Sequence, residues 1–412
     1  MTNKSIGVKP RSVYAIVCAL AFLFFLSALT ESSAGKPDVK LAEDVIVGAE
    51  RMEQLLPVIG DKRVGLVVNQ TSMVGESHLV DTLLSEGVKV KKIFALEHGF
   101  RGDADAGAHI EDSRDPATGL EVISLYGQNK KPLEKDLENI DLILFDIQDV
   151  GARFYTYISS LHYIMEASAE NGVELVVTDR PNPNGYFVDG PVLKSGFESF
   201  VGMHPVPVVH GMTIGEYALM IQGESWISSA ENLRLRVIPC LNYDHSMTYD
   251  LPVPPSPNLP NLRSILLYPS LCFFEGTQVS VGRGTHLQFQ LIGSPYVNEG
   301  DTSFTPRSLP GATHPPFLDE LCNGYSFSQY THKDLTKKGK IDLNYLLTFY
   351  RNFPEDKDFF LRNNFFDRLA GTDELRNAIV QGLSESEIRA QWKKDLDDFQ
   401  KVRKRYLLYP DF

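Results

Sequence analysis

A chain of 412 residues with 43% hydrophobic content can bury a sizeable core, which excludes an intrinsically disordered protein. Its formal net charge of −13 argues against nucleic acid or an anionic membrane surface as partner. Length alone predicts two or three domains.

Lys4, Lys9 and Arg11 precede an apolar run from Val13 to Leu29, and the small residues Ser32-Ser33-Ala34 follow it. That is the pattern of a secretory signal, and it predicts export to a periplasmic or extracellular space. The run is also close to the lower limit of about 17 residues for a membrane-spanning helix, so residues 1–34 are read as a signal peptide or an uncleaved N-terminal anchor. Membrane contact is expected only through this segment. Its removal takes three of the 40 basic and one of the 53 acidic residues, moving the net charge from −13 to −15. Cys240, Cys272 and Cys322 remain, widely spaced and without a C-x-x-C pair, so they read as buried structural cysteines.

From about Val45, short β-rich runs alternate with helix-compatible segments, the pattern of a parallel, doubly wound sheet. The runs are Arg63–Val68, Lys92–Leu96, Glu121–Leu125, Ile140–Phe145 and Val173–Thr178, with helices around Ser77–Ser85, near Leu133–Leu137 and from Tyr157 to Asn171, the last closed by Gly172. Arg180-Pro181-Asn182-Pro183-Asn184-Gly185 reads as a rigid loop. Thr213 and Glu216 form a capping box for the next helix, which is a structural role for Glu216. Beyond Leu241 prolines cluster and βα units thin out. The expectation is an α/β domain over 45–238 and a smaller α+β domain over 239–412, the latter ending in one helix from Leu375 to Lys404.

Ligands of open α/β sheets bind outside the C-terminal ends of the strands. Here those ends carry the polar residues. Asn69 and Gln70 follow the first strand, and Glu97, His98 and Arg101 follow the second in a glycine-bearing loop. Asp146, Gln148, Asp149, Arg153, Tyr155 and Tyr157 follow the fourth, and Asp179, Arg180 and Asn182 the fifth, with His210 near the next helix start. Glu97 is a general-acid candidate, because partial burial raises a carboxyl toward neutrality; its structural alternative is an ion pair with Arg101. A second carboxylate, Glu275, precedes a Gly/Ser/Thr stretch that contains Arg283. Two facing carboxyl groups suffice for most glycosidic hydrolysis. Asp146, Gln148 and Asp149 are acceptors for a polar ligand, Arg153 a fork for an anion, and the tyrosines stacking faces for a sugar. Their structural alternatives are helix capping and core packing, and for Asp179, Asn182 and His210 the holding of a turn. Phosphate-cradling glycine motifs, G-x-S-x-G and H-E-x-x-H are missing from the sequence, so no cofactor and no metal are expected.

NQTS at 69–72, LEHGFRG at 96–102, TGLEVISLYG at 118–127, FDIQDVGARFYTYI at 145–158, DRPNPNG at 179–185, GMTIGE at 211–216, PSPNLPN at 255–261 and FFEGTQVSVGRGT at 273–285 together resemble the exo-acting β-N-acetylmuramidases, the NamZ-like peptidoglycan glycosidases. The resemblance runs from about Ala49 to the C-terminus. Gln278 and Gln288 depart from it, standing where Asn and Pro are expected. It implies a Rossmann-like domain and a second domain with the active-site cleft between them, and hydrolysis of terminal N-acetylmuramic acid from the non-reducing end of cell-wall glycan fragments. Glu97 and Glu275 match its expected catalytic positions, with Glu97 the leading acid, Glu275 its partner base or nucleophile, and the reverse assignment open. Arg101, Arg153, Arg180 or Arg283 would bind the lactyl carboxylate. Two alternatives stand beside this reading. One is a metal-dependent hydrolase of phosphate or amide esters using Glu97, His98, Asp146, Asp149 and Asp179; the other is a non-catalytic muropeptide-binding protein.

Overall fold

The computed structural model describes residues 39–97, 99–100, 113–127 and 129–412. The signal segment, His98 and Arg101 lie outside them. A seven-stranded sheet organises the first half: β1 Arg63–Val68, β2 Lys89–Ala95, β3 Ser113–Arg114, β4 Glu121–Ser124, β5 Leu142–Asp146, β6 Glu174–Thr178 and β7 Leu235–Ile238, in spatial order β7-β6-β5-β1-β2-β4-β3. Every neighbouring pair is parallel except the short edge strand β3 against β4. The five residues of β5 are all buried, as are the last five of β1, because helices cover both faces of a parallel sheet. Gly65 in β1 is needed for this packing: a Cβ there would meet Ile140 and Phe94 side chains, each at 2.9 Å.

The chain runs outward from β1 through β2 to β4, then returns to the other side of β1 to lay down β5, β6 and β7. This reversal makes the crevice beyond the C-terminal ends of β1 and β5 the place where such a sheet presents a ligand site. The helix from Tyr157 to Asn171 follows β5, and Gly172 ends it in a left-handed conformation (φ 67°) while donating to the Ser168 carbonyl. Thr213 caps the helix Ile214–Gly223 and Glu216 returns the bond to the Thr213 N–H, as its spacing predicts.

Three segments differ from the sequence expectation. Ser77 and His78 pair with Met73 and Val74 in a small hairpin, so the following helix starts at Leu79, capped by His78. The segment near Leu133–Leu137 is a single 3-10 turn, Glu134–Asp136. The expected C-terminal helix is two helices, Glu374–Val380 and Glu385–Arg403: Gly382 adopts φ 73° and Ser384 starts a new capping box with Glu387.

The second half carries the helix Leu262–Leu271, a 3-10 turn over Cys272–Gly276, a three-stranded antiparallel sheet and further short helices. Residues 39–412 form one compact unit. One core continues from Phe94, Phe145 and Val177 of the sheet into Phe273, Phe274, Leu346 and Trp392, while Leu55, Leu79 and Leu83 cover the opposite face. The tail is fastened back onto the sheet edge. Tyr409 donates to Asp179 at 2.6 Å, the Leu408 N–H donates to Glu216 at 2.7 Å, and Arg403 donates to the Gly211 carbonyl at 2.9 Å. Cys240, Cys272 and Cys322 are buried free thiols.

Candidate active site

A cavity of about 240 Å³ opens where loops from the C-terminal ends of β2 and β5 meet the second half of the chain. Glu97, Phe154, Tyr155 and Thr156 line it from the sheet side. Asn258, Tyr268, Cys272, Glu275, Arg283 and Phe289 line it from the other. Val201, Leu259, Phe365 and Leu369 make an apolar portion of the wall.

Glu97 stands two residues beyond β2, at the point where the ladder ends. Its Oε1 accepts from the Tyr126 hydroxyl at 3.0 Å and its Oε2 from Thr156 at 2.8 Å. Tyr126 comes from the loop after the neighbouring strand β4 and Thr156 from the loop after β5, two strands away across β1, so the C-terminal ends of these parallel strands converge on this carboxyl. Behind it, Asn69 donates to the Tyr157 hydroxyl at 2.9 Å, and Tyr157 reaches the Glu97 carbonyl at 3.4 Å. Burial, with Glu97 adding to it, raises the Tyr157 phenol above its ordinary range, which keeps it a neutral donor.

Glu275 enters from the 3-10 turn that extends the Leu262–Leu271 helix. Arg283 donates through Nε to its Oε1 at 2.6 Å, and the Cys272 thiol lies 3.6 Å from its Oε2. The two charged side chains are each 21% exposed, enough to meet a ligand and too little to be screened as a surface pair. Burial works against the Arg283 charge, and the attraction and hydrogen bond of Glu275 more than offset it. The guanidinium also lies over the Phe289 ring, 5.2 Å from its centroid. Its Nη atoms hold no hydrogen bond or ion pair among the described residues.

The cavity thus brings together Glu97, Glu275, Tyr155 and Arg283 of the residues singled out from sequence. Tyr155 also anchors the rim, donating to the Pro255 carbonyl at 2.8 Å. The remaining candidates among the described residues lie behind or away from the cavity lining. Asp146 holds Arg180 in a buried bidentate pair, with both bonds at 2.8 Å, and Thr178 supplies a third donor. Arg153 is fully buried and donates to the carbonyls of Pro191, Val206 and Leu369, so its fork grips backbone. Gln148 donates to the Asp149 and Pro181 carbonyls, Gln70 to those of Pro254 and Pro255, and Asn182 to that of Met212. Asp179 accepts from Thr213, Tyr409 and the N–H groups of Arg180 and Gly215; burial nevertheless raises its carboxyl to about 6. Asp149 accepts from the Gly151 N–H at 2.6 Å, leaves Oδ1 without a partner among the described residues, and is pushed up to about 7 by burial. His210 is buried against Tyr217 and lowered to about 3, by burial first and then by the charges of Arg403 and Arg153.

Sequence reasoning missed Tyr126, Thr156, Asn258, Tyr268 and Cys272. Tyr126 and Thr156 were visible, since each sits at a strand's C-terminal end or in the loop that follows one. Tyr268 and Cys272 carried no such signal, because they project from a helix and turn whose apolar composition reads as core.

Comparison with known proteins fits this geometry. Residues 64–263 match the family model described as exo-β-N-acetylmuramidase NamZ, N-terminal, and residues 266–409 the one described as its C-terminal part. The chain is 37% identical to the peptidoglycan β-N-acetylmuramidase NamZ of Bacillus subtilis (strain 168), over 97% of this chain and 100% of that one. Among solved structures, it resembles a DUF1343 family protein of Bacteroides fragilis with a TM-score of 0.83 and 47% identity, covering 90% of this chain and 100% of that one. A second DUF1343 protein of the same organism matches with a TM-score of 0.74 and 28% identity, over 89% and 99% of the two chains.

Proposed function

The chain belongs to the NamZ exo-β-N-acetylmuramidase family, and from that premise we propose that it releases terminal N-acetylmuramic acid from the non-reducing end of peptidoglycan fragments. The observation that carries this reading is the placement of Glu97 and Glu275 on the wall of one sugar-sized cavity, from opposite halves of the chain. One carboxyl protonates the leaving oxygen while the other activates water or attacks the sugar.

The partners of the two groups support one division of the roles. Glu275 faces a guanidinium at 2.6 Å, which stabilises a carboxylate and suits the base or nucleophile. Glu97 faces two hydroxyls, and a hydroxyl serves a carboxylate as donor and a carboxylic acid as acceptor. This environment supports Glu97 as the acid. Arg283 has Nη donors to spare and is the arginine of the described cavity wall, so it binds the lactyl carboxylate that distinguishes muramic acid. The apolar side formed by Val201, Leu259 and Leu369 accommodates methyl groups of the sugar's substituents.

The metal-hydrolase alternative fits less well. Asp146 is saturated by Arg180 and Thr178, Asp179 by four donors, and the described residues hold no cluster of three metal-ligating side chains. The basic and apolar start of the chain supports export as the setting for this activity. The test is digestion of purified MurNAc-GlcNAc oligomers with product analysis by mass spectrometry. Stepwise loss of free N-acetylmuramic acid from the non-reducing end is expected; internal cleavage or no release would reject the proposal.

A further inference from the structure

The helix Phe365–Ala370 separates the cavity from a second, more polar pocket of about 390 Å³. Phe365 and Leu369, four residues apart, share the face that lines the cavity. Arg368, about 100° round the same helix from Leu369, and Asn364, at the N-cap position of the helix, line the second pocket. The chain segment at 196–201 repeats this arrangement, with Gly196 to Glu198 in the second pocket and Val201 in the cavity. The two spaces therefore share two structural walls.

The charges of the second pocket are unequally committed. Arg376 is held by Asp367 at 2.9 Å. Glu198 accepts from the Gly196 N–H through one oxygen and Asp373 from Asn377 through one oxygen, which leaves the other oxygen of each without a described partner. Arg368 is exposed, and its side chain makes no hydrogen bond or ion pair among the described residues. One free cation beside two half-used carboxylates matches a ligand that carries both a carboxylate and an ammonium group. A bare anion would be repelled by Glu198 and Asp373.

We propose that this pocket is a subsite for the peptide stem of a muramic residue further along the glycan, with Arg368 binding a stem carboxylate and Glu198 and Asp373 its free amine. This rests on the proposed muramidase activity, since the ligand is the remainder of the same substrate. It adds that the enzyme distinguishes peptide-bearing from bare fragments without any contact at the cleaved bond.

Two measurements test it. In the first, first-cut kinetics are compared for three substrates: the disaccharide MurNAc-GlcNAc, the bare tetrasaccharide, and the tetrasaccharide with a stem peptide on its inner muramic residue. Arg368→Glu is expected to raise KM about five-fold for the peptide-bearing substrate alone, the weight of one exposed ion pair. The effect should fade in high salt. Equal KM shifts on both tetrasaccharides would assign Arg368 to the lactyl carboxylate and overturn the peptide subsite, and unchanged KM on all three would overturn it outright. The second measurement is titration of the wild type and Arg368→Glu with free stem peptide, which needs no turnover. Weaker binding by the variant supports the subsite even if no muramic acid is ever released; equal binding rejects it even if turnover is normal.

Discussion

Nε of Arg283 donates to Oε1 of Glu275 at 2.6 Å inside the cavity that Glu97 enters from the other side. One guanidinium thereby fixes the carboxylate proposed as base or nucleophile with one edge, while its Nη donors are left for the proposed lactyl contact. Arg283→Ala should lower kcat/KM on muramic substrates about 10- to 100-fold, the range for a lost charge-assisted hydrogen bond. It should also narrow the preference for a muramic over a glucosaminide glycoside, because only the former carries the lactyl carboxylate. Parallel kinetics on the two glycosides check both statements.

The acid and its partner are separable by leaving group. Loss of a general acid typically costs about 10²- to 10⁴-fold, and nitrophenolate departs without protonation. Glu97→Gln should therefore impair hydrolysis of MurNAc-GlcNAc far more than of the nitrophenyl glycoside. Glu275→Gln should impair both alike. The opposite pattern would exchange the two roles.

Tyr126→Phe and Thr156→Val each remove one donor to Glu97. A neutral hydrogen bond contributes about 1 kcal/mol, so each variant should lose on the order of five-fold in kcat with an unchanged melting temperature. The double variant should lose more than either, measured by steady-state kinetics beside thermal unfolding.

Buried Arg153 predicts a different phenotype. Its guanidinium grips three carbonyls, among them that of Leu369 on the cavity wall. Arg153→Met orphans these carbonyls, and each unsatisfied buried group costs about 1–3 kcal/mol. A lower denaturant midpoint is expected, with near-normal KM in the folded fraction.

Asp149 and His210 tilt stability in opposite directions with pH. Asp149 is raised to about 7 when folded, so the stability it lends is full below its unfolded value near 3.9 and is lost as pH rises through 7. His210 is lowered to about 3, so its contribution is present above its unfolded value near 6.5 and is lost as pH falls toward 3. Asp149→Asn should raise the unfolding midpoint at pH 8 more than at pH 5, and His210→Gln should flatten the acid side of the curve. Thermal unfolding across pH 4–8 reads both.

Much of this architecture was legible because parallel strands are written as apolar runs and their C-terminal ends as polar punctuation. β1 and the helix Tyr157–Asn171 follow the expected boundaries, and Glu97 and Glu275 share a wall as two carboxylates in glycine-bearing loops suggest. The same edge logic over-collected polar residues, since a strand end supplies structural partners as readily as ligands. Asp146 and Arg180 satisfy each other, and Arg153 spends its fork on carbonyls from distant segments, which local sequence does not display. The break at Gly382 was present as a glycine followed by Ser384 and Glu387, but the apolar spacing on either side masked it.

The most direct test of the account is turnover of a chromogenic β-N-acetylmuramic acid glycoside by the protein lacking residues 1–34, beside the matching β-N-acetylglucosaminide and with a chelator in a parallel series. Release from the muramic glycoside alone, unchanged by the chelator and abolished in Glu275→Gln, is the predicted result. Equal hydrolysis of both glycosides, chelator-sensitive release, or full activity in Glu275→Gln would contradict it.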